Sequence, residues 1–333
     1  MQIEITKPGM LSTVQDLGRS QSRSNAVPVS GAMDTLSARI ANLALGNEQT
    51  AAVIEFTYAD AAFKTQTDLL IAWAGDGAKL QLDEQMLPAN RPLFIPQGKT
   101  IKLVNNRTGC RTYLAVAGGW NVSVVLGSRS TYITAGFGGL EGRALQKGDV
   151  LQAFGNQSEI NVKLWNTLAG AEITFPKWSI ARPLFLPADR RLIHVMPGPE
   201  ADWLEADAIA GFYSEPYRVG SRSNRMGIGL EGAKMTRAIQ AELLSAAVTP
   251  GTIQVTNSNN MILLMADCQT TGGYPRMAQV AAVDLPLCAQ LKPGDEIRFQ
   301  QITRQEAEGL LVERERELKR LELRLAEFII DRI

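Results

Sequence analysis

The run Ala266-Asp267-Cys268-Gln269-Thr270-Thr271-Gly272-Gly273-Tyr274-Pro275 gathers a carboxylate, a thiol, a carboxamide, two hydroxyls and paired glycines. It follows Met261-Ile262-Leu263-Leu264-Met265, an apolar run that predicts a buried strand. The polar groups therefore stand at a strand end, where sites are commonly built. Gly272 and Gly273 allow backbone conformations closed to other residues and let a partner's backbone or a ligand come close. A tight turn whose hydroxyls satisfy their own backbone explains the same residues. The segment alone leaves both readings open.

Further polar clusters are Gln15-Asp16-Leu17-Gly18-Arg19, Ser30-Gly31-Ala32-Met33-Asp34, Ser128-Arg129-Ser130-Thr131 and Asn224-Arg225-Met226-Gly227. They combine arginines, hydroxyls and glycines. Guanidinium forks grip oxyanions and backbone N–H groups stabilise developing negative charge, so this inventory suits a carboxylate, an amide or a phosphate. Asp34, Asp267 and Glu55 are possible bases, although Asp34 also fits the N-cap of a helix.

Other chemistry is excluded or discounted. His194 is the one histidine, so a His-based metal site is out of reach and a Ser-His-Asp or Cys-His mechanism would have to pass through it. Its place in Leu192-Ile193-His194-Val195-Met196 suits a structural or surface role. Cys110, Cys268 and Cys288 fit neither a zinc spacing nor a disulfide framework. Gly227-Ile228-Gly229-Leu230-Glu231-Gly232 matches a dinucleotide fingerprint but lacks the apolar strand that should precede it. There is no Walker A sequence. Ala233-Lys234-Met235 lacks the Met that should precede the lysine of a biotin-attachment site, so no covalent biotin is expected on this chain.

At 333 residues the chain is long enough for two cores, since single cores usually stop growing near roughly 250–300 residues. Lys+Arg and Asp+Glu are equal at 34 each, which gives no electrostatic reason to bind nucleic acid or an anionic membrane. Met1–Ile5 reads as a first strand rather than a signal peptide, no apolar run is long enough for a membrane span, and the cytoplasm is the expected compartment.

Short strands separated by Gly, Pro and Asn dominate, as in barrels and sandwiches. Examples are Thr100–Val104, Arg111–Val116, Val150–Phe154, Thr252–Val255 and Glu296–Phe299. Helices are expected from N-cap Asp34 to Gly46, from Pro199 to Gly211, and over roughly Arg304 to Phe328. The last carries Leu311, Leu318, Leu321, Leu325 and Phe328 on one stripe, interrupted by Arg314, and suits packing on its own domain. The two halves also echo each other. Gly127-Ser128-Arg129-Ser130 and Gly139-Leu140-Glu141-Gly142 recur as Gly220-Ser221-Arg222-Ser223 and Gly229-Leu230-Glu231-Gly232, and Leu145–Asp149 is matched by Leu291–Asp295. Ordered echoes predict duplicated β units around a common interface.

At these clusters the sequence becomes recognisable. Thr13–Arg19, Val27–Asp34, Leu126–Thr131, Arg225-Met226-Gly227 and Asp267–Pro275 resemble the allophanate-hydrolase-subunit-2-like family. That family is also called KipA, or the C subunit of bacterial 5-oxoprolinase, and the same module forms part of the carboxyltransferase region of urea carboxylase. The resemblance runs from about residue 3 to about residue 303. It departs from the family's usual pattern at Ala26, Asn224 and Gly229, where Gly, Asp and Arg are frequent.

The resemblance implies a mainly β fold of two related cyclophilin-like β-barrel domains with a few helices. The expected division is 1–185, 186–303 and a C-terminal helix over 304–333, with strands possibly exchanged between the halves. It implies work beside a KipI-like B subunit and a LamB/YcsF-like A subunit, opening 5-oxoproline to glutamate with ATP as co-substrate. A lactam resists water because its nitrogen lone pair is delocalised into the carbonyl, and phosphorylating the carbonyl oxygen makes it a better electrophile. The expected catalytic residues are Asp267, Gln269, Thr270 and Arg225. Gln15, Asp16, Arg19, Ser30, Asp34, Arg129, Ser130, Thr131, Gly272, Gly273 and Tyr274 are expected to bind substrate or phosphate. Alternatives within the resemblance are a biotin-dependent carboxyltransferase module of the urea amidolyase type and a non-catalytic KipA-like protein that binds a KipI-like kinase inhibitor.

Overall fold

The computed structural model describes residues 1–106, 108–154 and 158–332. Among them the chain is mainly β, with strands far outnumbering α-helices and a long helix, Arg304–Arg332, at the C-terminal end. It divides into two compact units. Met1–Gly18, Asp34–Phe185 and the chain from Arg316 onward form the first; Arg19–Met33 and Leu186–Glu315 form the second. A split at 185/186 would have given Arg19–Met33 to the first unit.

In the first unit, strand alternation decides which faces meet. Gln2–Pro8, Ala78–Leu82 and Thr100–Asn105 bury every second residue, the mark of a sheet with one covered face. They belong to a six-stranded sheet in the order Val150–Gln152, Gln2–Pro8, Ala61–Thr65, Thr100–Asn105, Ala78–Leu82, Gln85–Met86. Leu69–Gly75 and Arg111–Val116 instead read as nearly continuous apolar runs and are buried on both faces. They sit inside a five-stranded sheet in the order Leu11–Gln15, Val53–Thr57, Arg111–Val116, Leu69–Gly75, Leu93–Ile95. Side chains of both sheets, including Ile5, Phe63, Leu80 and Ile101 with Phe56, Ile71, Leu114 and Val116, share one core. The helix Thr35–Leu45 packs against Leu69–Gly75 and Arg111–Val116. Asp34 caps it, accepting from Ser37 N, and left-handed Gly46 ends it, as its sequence predicts.

The second unit is a closed seven-stranded barrel: Leu192–Pro197, Arg276–Val280, Thr252–Val255, Met261–Leu264, Gly227–Glu231, Tyr217–Val219 and Glu296–Gln301. Closure comes from parallel pairing of Leu192–Val195 with Arg298–Gln301. Inward residues such as Ile193, Ile228, Ile253, Leu263 and Ile297 fill it, and Phe212 stacks on Phe299 with centroids 4.5 Å apart. Closure distinguishes the halves: the second is a barrel by its pairings, whereas the first is two sheets over a shared core.

The expected helix from Pro199 to Gly211 is instead a short 3-10 turn, Ala201–Trp203, and a later helix, Ala206–Ser214. Glu200 is drawn onto Arg276, accepting from its backbone N at 3.0 Å and from Nε at 2.8 Å. An added Cβ on Gly198 would run into Arg276 O, so the backbone there lies against the strand Arg276–Val280. The helix Glu159–Leu168 escaped sequence reading. Its capping box pairs Ser158 with Asn161 rather than the commoner Glu or Gln. Arg314, which interrupts the apolar stripe of the last helix, is buried because its guanidinium donates to Val283 O at 2.6 Å.

Ser158 Oγ accepts from Asn161 N at 3.1 Å and donates to Gly46 O at 3.0 Å. Ser158→Ala is therefore expected to cost about 1 kcal/mol, read as a lower denaturant midpoint at unchanged slope. A midpoint equal to wild type would show that the cap contributes nothing.

Candidate functional site

The turn Ala266–Pro275 leaves the barrel strand Met261–Leu264 and is anchored at its root. Asp267 Oδ2 accepts from Arg225 Nε at 2.8 Å, and Oδ1 accepts from Arg225 NH2 at 3.0 Å and from Ser30 Oγ at 2.7 Å. Arg225 NH2 also donates to Gly31 O at 2.6 Å, and Ser30 N donates to Ala266 O at 2.9 Å. Ser30 and Gly31 reach these partners through consecutive left-handed conformations, φ 57 and 84. Arg225, Asp267 and Ser30 are all buried. The expected base and guanidinium thus grip each other, a bidentate pair fixing the Arg19–Met33 segment to the barrel. Arg19 is buried too, with its N–H on Val29 O at 2.8 Å.

Gly272 and Gly273 lack the positive φ that sequence reading allowed them. Their other expected use, close approach of neighbouring groups, is the one they serve. A Cβ on Gly272 would stand 2.7 Å from Gln254 Nε2, and one on Gly273 would stand 3.3 Å from Leu243 O. Thr271–Gly272 pairs with Ala246–Ala247, and Thr270 O accepts from Val248 N at 3.0 Å.

Gln269 and Tyr274 line a cavity of about 520 Å3 on the barrel's outer face, within the usual range for small-molecule sites. Its floor comes from Gly227, Gly229, Ile262 and Leu264, and Arg222, Asn224, Glu231 and Gln254 join its walls. Arg225 and Asp267 are not among its lining residues. Asn224 and Gly229, two of the departures from the resembling family, do line it. Sequence reading missed Gln254. It alternates outward in an ordinary strand, and its burial comes from the turn folded over it, which no local pattern reveals.

The first unit holds a second hub. Asp16 Oδ1 accepts from Ser128 Oγ at 2.6 Å, Ser130 Oγ at 2.5 Å and Gly18 N at 2.7 Å, while Oδ2 accepts from Arg129 N at 2.6 Å. Thr131 Oγ1 donates to Val14 O at 2.9 Å, and Gln15 Nε2 donates to Thr131 O at 3.2 Å. Gln15 Oε1 is buried without a partner among the described residues. Carboxylate and hydroxyls here shape the loop and are not presented to solvent. They hold out Arg129, half-buried, whose guanidinium lies 4.8 Å from the Phe154 ring centroid and has no carboxylate partner among the described residues.

Asp34 and Glu55 lie in a different buried network of that unit. Tyr113 donates to Glu55 Oε2 at 2.7 Å and accepts from Asp34 N at 2.7 Å. Burial, then the carboxylates of Glu55 and Asp34, push the Tyr113 phenol well above its ordinary range, which keeps it a donor. Asp34 accepts from Ser37 Oγ at 2.6 Å, and Arg182 donates to Ser37 Oγ at 2.8 Å and meets Asp76. Capping and charge balance account for Asp34.

His194 Nδ1 lies 2.8 Å from Asp284 Oδ2, a pairing that locks a strand to a turn. Burial pushes the Cys268 thiol up to about 12, which disfavours the thiolate near neutral pH. Among the described residues, no cluster of three or more His, Cys, Asp or Glu side chains able to hold a metal occurs, and no helix is long and apolar enough to cross a membrane.

Known proteins share this chain's sequence over most of its length. Residues 25–301 match the family described as carboxyltransferase domain, subdomain A and B. The chain is 34% identical to the 5-oxoprolinase C subunit of Escherichia coli K12, over 97% of this chain and 98% of that one. It is 32% identical to the protein of the same name from Haemophilus influenzae, over 92% and 94%. The crystal structure of the K. lactis urea amidolyase superposes with a TM-score of 0.84 at 28% identity. That match covers 96% of this chain but 20% of the amidolyase.

Two outcomes follow for the second unit. Arg225→Ala strands a buried carboxylate and is expected to destabilise the chain by roughly 3–5 kcal/mol, with Arg225→Met plus Asp267→Leu recovering most of it. Chemical unfolding of the three chains measures this, and a neutral Arg225→Ala would refute the anchor. The Arg276 guanidinium holds Glu200 below the usual carboxylate range. A depressed folded value contributes stability above the unfolded pKa that is lost as pH falls through the folded one. Glu200→Gln is therefore expected to flatten the acid limb of melting temperature against pH; identical limbs would remove the assignment.

Proposed function

The chain belongs to the carboxyltransferase-domain family of subdomains A and B, and we propose that it is the C subunit of an ATP-dependent 5-oxoprolinase that opens 5-oxoproline to glutamate. The end-to-end correspondence with two bacterial proteins named for that role carries this reading. Its partners are a KipI-like B subunit and a LamB/YcsF-like A subunit, and its compartment is the cytoplasm.

ATP supplies the phosphoryl group that makes the lactam carbonyl open to water. There is no P-loop, and Arg225 is already held by Asp267. This chain contributes groups around the amide and its carboxylate. Gln269 and Tyr274 face the cavity, and Arg129 and Arg222 are guanidiniums without a carboxylate partner among the described residues. Asp267 and Asp16 act by positioning.

A second reading has its own support. The superposition on the K. lactis urea amidolyase favours a carboxyltransferase module, in which the same donors would stabilise an enolate-like oxygen of biotin carried by another protein.

Mixing this chain with its KipI-like and LamB/YcsF-like partners and following glutamate and ADP from 5-oxoproline and ATP separates them. Turnover is expected to require all three, with the isolated chain inactive. Glutamate formation unaffected by leaving this chain out, or carboxyl transfer from biotin in its place, would sink the oxoprolinase reading.

A further inference from the structure

The outward face of Gly227–Glu231 is bare for reasons other than backbone conformation. Gly227 and Gly229 alternate on that face and neither has a positive φ, so the chain path there accepts ordinary residues. An added Cβ on Gly227 would meet Ile262 Cγ2 at 2.9 Å, so packing limits that position. On Gly229 it would meet nothing within 4 Å. Glycine inside a strand weakens it, and no neighbour demands one here. The missing side chain leaves open space on the cavity floor.

The walls above this floor are rich in amides. Gln254 is 2% exposed, and its Nε2 donates to Tyr274 O at 3.1 Å. That bond fixes the carboxamide and leaves Oε1 at the cavity wall as an accessible acceptor without a protein partner among the described residues. Asn224 accepts from Met226 N at 2.8 Å and Gly227 N at 3.2 Å through Oδ1, which leaves its NH2 to donate. Gln269 lines the cavity with its carboxamide unengaged among the described residues. The charged lining residues are Arg222 and Glu231.

We propose that this cavity binds a small amide with N–H and C=O on one edge, Gln254 Oε1 accepting the N–H while Gly229 leaves room for the hydrocarbon part. Lactams, urea and primary carboxamides present that edge; N-alkylated lactams do not. Gln269 or Asn224 donates to the carbonyl, the apolar part lies over Gly229 beside Ile262 and Leu264, and a carboxylate, where the ligand has one, turns to Arg222. The inference deepens the oxoprolinase reading and rests on it for the choice of amides.

Calorimetric titration of the full chain with 5-oxoproline, 2-pyrrolidinone, N-methyl-2-pyrrolidinone, urea and proline tests it. The compounds with an N–H edge are expected to bind, with proline silent. N-methylation is expected to weaken lactam binding roughly 10–100-fold, the cost of covering that acceptor with a ligand that cannot donate to it. Gly229→Val is expected to abolish lactam binding while the melting temperature stays level or rises, since its backbone accepts a β-branched residue. Equal binding of the methylated lactam, undiminished binding by Gly229→Val, or no saturable binding to the wild-type chain overturns the proposal. In the assembled enzyme an unchanged KM for 5-oxoproline with Gly229→Val also overturns it and leaves the oxoprolinase reading standing. A complex that makes no glutamate, beside Gly229-dependent binding of 2-pyrrolidinone, sinks the oxoprolinase reading and leaves the cavity.

Discussion

A carboxylate taken out of water must be saturated with donors, and in this chain that requirement shapes both polar regions. Asp267 meets it with a guanidinium fork and the Ser30 hydroxyl. Asp16 meets it with two hydroxyls and backbone N–H groups. In each case one buried acid sets the path of a loop remote in sequence. The groups left over, Gln269 and Tyr274 in one unit and Arg129 in the other, are those that face outward. Polar residues near a site thus divide into those that hold and those that can touch a ligand, and whether their polar atoms are already satisfied within the chain decides which.

Much of the fold is legible because it follows local rules. The apolar run Met261–Met265 marks a core strand, and Asp34 with Gly46 bounds a helix. The misread helix at Pro199 and the unread one at Glu159 fail for the same reason. Long-range contacts decide them, Glu200 with Arg276 in one case and Asn161 with Leu45 in the other.

The site was legible as residue types and not as roles. Arg225 and Asp267 stood out for their chemistry, yet sequence cannot reveal that they satisfy one another. Of the two uses the sequence offers for the glycine pair at 272–273, close approach holds, to Gln254 and to the Leu243 backbone, and positive φ does not. The repeated Gly-Ser-Arg-Ser segments also part ways. Ser128 and Ser130 serve Asp16, whereas Ser223 Oγ donates to Gly220 O at 2.8 Å within its own turn.

The parallel seam that joins Leu192–Val195 to Arg298–Gln301 has a consequence for how the protein is made. A ribosome delivers the first of these strands about a hundred residues before the last, so the growing sheet carries a bare rim throughout that interval. Backbone amides on such a rim pair readily with those of another nascent molecule. Synthesis halted just short of this final strand would release a protein with sticky edges, and premature stops there would show themselves first as aggregates.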